Sequence, residues 1–350
     1  LKRAGRFRRY SAVMLCAVLL ALAWTAPVSA AQTAQGETKD MNTVFAERKR
    51  LFDEIGQISG IPWYNLAAID QFERSLTIAN PKKRPTRKNA LIGIYYSEVE
   101  WTGFGNPNEA DTDPATIALF AGRGTDGDGD GRADRTNDFD VLSTMATFLL
   151  GYGTTENDLK LALWERYRNV RNVDRILQFA RIYAAFGRLD LHDHAFPLPI
   201  KSTYSYRGTW GASRGWGGHR IHEGTDLFAN YGVPVRSTCY GVVEVKGWNP
   251  YGGWRIGLRD LNNVYHYYAH LSGFDKSLKV GDIVKPGRVI GWVGSSGYGK
   301  PGTSGKFPPH LHFGLYRDNG MREWSFDPYP YLKKWEREDR LRAMKNKSGA

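Results

Sequence analysis

The periodicity of apolar residues changes once along this chain, near residue 190, and nothing else in the sequence restricts the fold as much. Upstream, Phe45, Leu51, Phe52, Ile55 and Ile58 recur at helical spacing until Gly60 and Pro62. That is one apolar helix face followed by a stop signal. The same pattern predicts further helices over 63–77, 138–151, 157–167 and 171–186. Downstream, short β-branched and aromatic runs take over: Val233–Trp248, Trp254–Asp260, Val264–Leu271, Arg288–Val293 and Leu311–Tyr316. Turn residues such as Asn262-Asn263 and Pro286-Gly287 separate them. At about 100–200 residues per domain, the 350 residues suggest two domains. The expected class is multidomain α and β, with a helical domain over 31–190 and an all-β domain over 191–335. Pro197 and Pro199 punctuate the joint, and a charged tail over 336–350 reads as a solvated helix or a frayed end.

The ends set the compartment. A basic start, the apolar run Ala12–Trp24 and the small residues Val28-Ser29-Ala30 read as an export signal over 1–30. The run falls short of the roughly 20 residues a membrane span needs; an uncleaved N-terminal anchor is the alternative. Lys and Arg (48) exceed Asp and Glu (36) by 12, and five of those charges lie in the first nine residues, leaving 12 − 5 = +7 after cleavage. A secreted basic protein argues against nucleic acid as partner and against stable membrane insertion. It fits attraction to anionic wall polymers, with plain solubility as the other reading. Two cysteines exclude a disulfide scaffold and a thiolate zinc cluster. Of these, Cys239 alone would survive cleavage and is expected to be a small buried hydrophobe.

All eight histidines lie at or beyond His192. In a strand, residues i and i+2 share a face, so His310 and His312 point together while Leu311 and Phe313 face the core. His222 and Asp226 share a face in the same way, with Gly224 between them leaving room and Glu223 opposite. Two histidines, one carboxylate and water make an open four-coordinate zinc site. There is no HExxH helix, so His270 and whichever of His310 and His312 is not a ligand are left to move protons. By parity His266 shares the face of His270, which makes it a candidate for the cleft lining, with a place outside the cleft as the other reading. His219 is expected to face away, and His192-Asp193-His194 to form a hinge contact.

The motifs HxxxD (222–226), YAHL (268–271) and HLHF (310–313), with the Gly-rich text between them, resemble the lysostaphin/LytM-type zinc endopeptidases that cut peptidoglycan peptides. The resemblance implies a β-sheet groove, zinc ligands His222, Asp226 and His312, and catalytic His270 and His310. The family's usual upstream tyrosine has no counterpart in Arg214-Gly215-Trp216-Gly217-Gly218. The longer stretches FGRLDLHDHAFP, GGWRIGLRD, GYGKPGTSGKFPPHLHFG and EWSFDPYPYL are similar to members that cut the L-Ala–D-Glu bond in spore cortex maturation. That implies stem peptides and glycan as partners and a wall or cortex location.

The helical half resembles a lytic-transglycosylase-like, lysozyme-type domain through PWYNLAAI and Glu73-Arg74-Ser75. Glu73 stands where that family places its catalytic acid. The family's Gly-x-x-Gln stretch reads Gly93-Ile94-Tyr95-Tyr96, and its Tyr-Asn reads Arg168-Asn169. A degenerate, wall-binding domain is therefore expected, with a glycan-cleaving one as the alternative. Asp126, Asp128, Asp130 and Asp134 resemble a calcium loop, but Asn137 stands where its bidentate Glu belongs. A solvated Asp-Gly turn is the other reading.

Overall fold

The computed structural model describes residues 40–82, 87, 90–215 and 219–348; the expected signal over 1–30 lies outside them. Seven helices come first: α1 (Met41–Ser59), α2 (Trp63–Ala79), α3 (Glu98–Thr102), α4 (Pro114–Leu119), α5 (Asp138–Leu150), α6 (Glu156–Tyr167) and α7 (Val170–Phe186). Their ends follow local chemistry. Gly60 and Gly187 close α1 and α7 in the left-handed conformation, where a Cβ would be strained. Ser97 and Thr155 open α3 and α6 with reciprocal capping boxes.

The strands follow as β1 (Tyr204–Tyr206), β2 (Ser213–Arg214), β3 (Arg220–Ile221), β4 (Thr225–Ala229), β5 (Pro234–Arg236), β6 (Gly241–Asn249) and β7 (Gly253–Asp260). Then come β8 (Val264–Phe274), β9 (Ile283–Val284), β10 (Val289–Val293), β11 (His310–Asp318) and β12 (Glu323–Phe326), and α8 (Tyr329–Ser348) ends the chain. The main sheet runs β1-β4-β11-β8-β7-β6-β9 and is antiparallel. β10 pairs with β5 and β8, β12 with β11, and β2 with β3 in a separate hairpin.

The helical and β parts form one compact unit over Asp40–Ala350. The helical core, built on Phe52, Phe72 and Phe179, takes in Val242 and Leu261 from the β part. Gln71 Nε2 donates to the Leu261 carbonyl at 2.9 Å, and Arg171 pairs with Asp318 at 2.6 Å. One further attachment joins residues far apart in sequence. α8 is mostly charged, but Leu332 and Trp335 are buried in the β core, and Asp339 pairs with Arg236 at 2.7 Å. The tail after Leu332 is thus a docked helix where it begins.

The joint histidines are structural. His192 stacks on Phe45, and His194 stacks on Trp335 at 4.8 Å and on His266 at 6.3 Å. Cys239 is buried, and burial pushes its thiol well above the usual range. Burial, with the neighbouring His266, pulls His194 down to about 4 from 6.5. The unfolded chain therefore takes up this proton first. Its contribution is complete above pH 6.5 and is lost as pH falls through 4. At about 1.4 kcal/mol per unit, wild type should lose about 2–3 kcal/mol across that window. In urea titrations at stepped pH, His194→Phe should show a shallower decline.

Candidate active site

The site starts from strand register. His312 on β11 lies directly opposite Asp226 on β4, and His310 opposite Phe228. Leu311 and Phe313 are fully buried behind them, as the alternation requires. His222 enters from the segment ahead of β4. Its Nε2 lies 2.9 Å from His312 Nδ1 and 3.0 Å from Asp226 Oδ1, and His312 Nδ1 is 3.0 Å from the same oxygen. Gly224 makes this convergence feasible. A Cβ there would sit 2.6 Å from both His312 Cε1 and the Phe313 carbonyl oxygen.

Second contacts fix the tautomers. The Nδ1 atoms of His222, His270 and His310 face the carbonyls of Thr209, Ser296 and Pro308 at 2.9, 2.8 and 2.8 Å. A carbonyl only accepts, so each Nδ1 carries the hydrogen and each Nε2 keeps its lone pair. The His222 lone pair, His312 Nδ1 and a carboxylate oxygen then crowd together in a buried place. Such a donor set repels itself without a cation and fits zinc, which takes nitrogen and oxygen ligands. Burial alone would raise Asp226, but the imidazoles of His222 and His312 beside it hold its carboxyl far below the usual carboxylate range. Burial and the nearby imidazoles of His312 and His310 pull His270 down to about 3, and burial lowers His310 and His312. Neutral imidazoles beside an ionised carboxylate are what a divalent cation requires.

The site opens into a cavity of about 690 Å³. Its walls carry Tyr251, Tyr265, Tyr267, Tyr298, Phe307 and Tyr316, together with Arg214, Arg220 and Arg255. His310 Nε2 lies 3.8 Å from Asp226 Oδ1, and the His270 ring is 4.8 Å from that of His310.

A family model described as Peptidase family M23 matches residues 220–327. The chain is 54% identical over 325 residues to the L-Ala--D-Glu endopeptidase of Bacillus subtilis (strain 168), covering 93% of this chain and 97% of that protein. The chain belongs to peptidase family M23. This M23 chain is a zinc metallopeptidase with His222, Asp226 and His312 as its candidate metal site. It is also 41% identical over 115 residues to lysostaphin of Staphylococcus staphylolyticus, covering 32% of this chain and 22% of that protein. The solved catalytic domain of lysostaphin from Staphylococcus simulans is 34% identical, with 40% of this chain and 99% of that chain covered and a TM-score of 0.32.

Other expected residues are placed differently in this M23 chain. His266 does not line the cleft; it is 1% exposed and bonds Thr238 and Asp260 on the core side. The cause is a bulge. Leu271 and Tyr268 of β8 pair with Trp254 and Ile256 of β7, so three steps on β8 match two on β7. His270 absorbs the extra residue at φ 62°, which reverses the parity between 266 and 270. Tyr265 and Tyr267 take the groove face instead. Glu223 also reaches the groove, accepting from the Tyr316 hydroxyl at 3.2 Å. Here the chain bends at Gly224 and does not run straight as a strand. His219 is exposed and stands apart from the metal site.

The acidic loop does not form the expected set. Oxygens of Asp126, Asp128 and Asp140 come within 4.8 Å of one another, whereas Asp130 and Asp134 stay outside. Those two accept from the backbone N–H groups of Arg132 and Thr136, two residues on, as Asx turns do. The comparisons support zinc and not calcium. Glu73 is 1% exposed, accepting from Tyr167 Oη at 2.8 Å and facing Arg166 at 3.4 Å.

Sequence reasoning missed Arg214, whose Nη2 holds Asp226 Oδ2 at 2.7 Å. Its signal was the short hairpin of β2 and β3 beside HxxxD. The clash at Gly224 gives a direct test. Gly224→Ala should weaken zinc binding about 10–100-fold, read by competition with a chromogenic chelator, because the new methyl displaces His312.

Proposed function

We propose that this chain hydrolyses the L-Ala–D-Glu bond of peptidoglycan stem peptides. The observation that carries the reading is the 54% identity to an L-Ala--D-Glu endopeptidase across 93% of this chain, helices and sheet alike. The donor set of His222, Asp226 and His312 agrees with it. When bound there, zinc supplies a Lewis acid that polarises the scissile carbonyl and acidifies water. His270 and His310 are the catalytic pair. Each presents an unprotonated Nε2, because its Nδ1–H is engaged by a backbone carbonyl. One accepts the proton that the attacking water loses as its oxygen bonds to the L-Ala carbonyl carbon. A proton then passes to the D-Glu nitrogen as the C–N bond breaks, leaving a carboxylate and a free amine. The protonated imidazole also steadies the developing oxyanion.

We read the helical half as a lytic-transglycosylase-like scaffold that holds glycan without cutting it. The burial of Glu73 against Arg166 supports this, since a general acid must reach its substrate. The basic start and apolar run over 1–30 support export to the wall or spore cortex. The net positive charge left after removal of that segment suits anionic wall polymers.

Digestion of muropeptides by the zinc-loaded protein, followed by mass spectrometry, should release peptides with N-terminal D-Glu and no anhydro-sugar ends. Release of another amino terminus would overturn the bond assignment. His312→Ala and chelation should each abolish release, and His270→Ala should lower kcat about 10²–10⁴-fold. Glu73→Gln should leave the product set unchanged; if anhydro-sugar ends form in wild type and vanish in this variant, the helical half is a second enzyme.

A further inference from the structure

Glutamate has two carboxyls, and a peptide continuing through one leaves the other free. A substrate cut at L-Ala–D-Glu therefore carries a negative charge close to the scissile nitrogen. Most charges along the groove are already committed. Asp226 belongs to the metal site and to Arg214, and Glu323 pairs with Arg259 at 2.6 Å. Glu223 accepts from Tyr316.

Arg220 and Arg255 differ. Both line the cavity, and the Nε of each is buried without a hydrogen-bond partner among the described residues. Arg48, Arg166, Arg175 and Arg236 share that unpartnered Nε, yet each holds a carboxylate through another nitrogen. No such ion pair is formed by Arg220 or Arg255 among the described residues. Arg220 lies over the Tyr251 ring at 5.5 Å. Arg255 bonds Tyr267, and Arg220 acts on the same phenol electrostatically. The Tyr267 ring is 5.9 Å from that of His312. Two half-buried guanidiniums thus act on one tyrosine beside a metal ligand. A guanidinium fork matches a carboxylate in two hydrogen bonds.

We propose that Arg220 and Arg255 form the subsite for the free carboxylate of the D-glutamyl residue and set the preference for an acidic residue there. The assignment rests on the L-Ala–D-Glu reading above. Arg255 supplies the fork, held in place by Tyr267, and Arg220 closes the subsite from the hairpin side.

The test uses two peptides that differ only in a free carboxylate or a carboxamide on the D-glutamyl residue. The full-length zinc-loaded protein should prefer the carboxylate by about tenfold or more in kcat/KM. Arg220→Gln and Arg255→Gln should each compress that ratio, and the double variant should bring it near one. Arg255→Lys, which keeps the charge and loses the fork, should fall between. A variant that loses both peptides in proportion preserves the ratio, and that result overturns the assignment. If wild type cuts both peptides alike, the subsite is wrong while the bond reading stands; if it cuts neither, the bond reading itself fails. Calorimetric titration of the product peptide with N-terminal D-Glu gives a second readout. Binding should weaken with salt in wild type and lose that dependence in the double variant; equal salt dependence in both would overturn the proposal.

Discussion

The pairing of β4 with β11 is the constraint on which the site depends. It sets Asp226 opposite His312, and the two-residue repeat of β11 then presents His310 on the same face while burying Leu311 and Phe313. A slip of one residue would turn both histidines into the core and both hydrophobes into the groove. The fully buried Leu227, Leu311 and Phe313 therefore protect the metal geometry by making that slip expensive. Gly224 is the other half of the arrangement, since His312 occupies the space that any larger residue would fill.

Both imidazoles proposed for proton transfer are held by the same device. Each rests its Nδ1–H on a backbone carbonyl, so the reactive nitrogen is chosen by the main chain and not by a side chain that can rotate away. For His270 the device comes with a positive φ and a bulge in β8. The strain is tolerable because the surroundings over-determine it: His270 N donates to the Gly252 carbonyl at 2.7 Å, and Leu271 is fully buried.

That bulge also marks where sequence reasoning stops. Residues joined by uninterrupted alternation were legible: His310 with His312, and the two core residues between and behind them. The five longer helices ahead of the sheet were legible from apolar spacing and glycine stops, to within a residue or two at most ends, whereas the short α3 and α4 hold too few turns to show a periodicity. His266 was not, because a bulge changes parity without leaving a mark in the hydrophobic pattern. Glu223 was misplaced for a similar reason, a bend at Gly224 ahead of the strand. The acidic loop failed differently. Spacing counts oxygens, but it does not reveal that Asp130 and Asp134 spend theirs on nearby backbone N–H groups. Arg214 and Arg220 required knowing that β2 pairs with β3 and that both residues then line the groove.

The helical half has a physical role whatever it binds. A line of alternating charge runs from Arg175 on α7 through Glu244 on β6 and Arg259 on β7 to Glu323 on β12. Arg259 is 1% exposed, and Glu323 lines the groove. Buried charges are tolerated only when paired, and removing one partner leaves the next uncompensated. Without α7, Glu244 keeps only Arg259, Asp318 loses Arg171, and Val242 and Leu261 lose their apolar cover. The wall of the groove that Glu323 belongs to is therefore fixed by contacts that begin in the helices. In this chain the residues that line the cleft all come from the β part, and the helices brace one of its walls from behind.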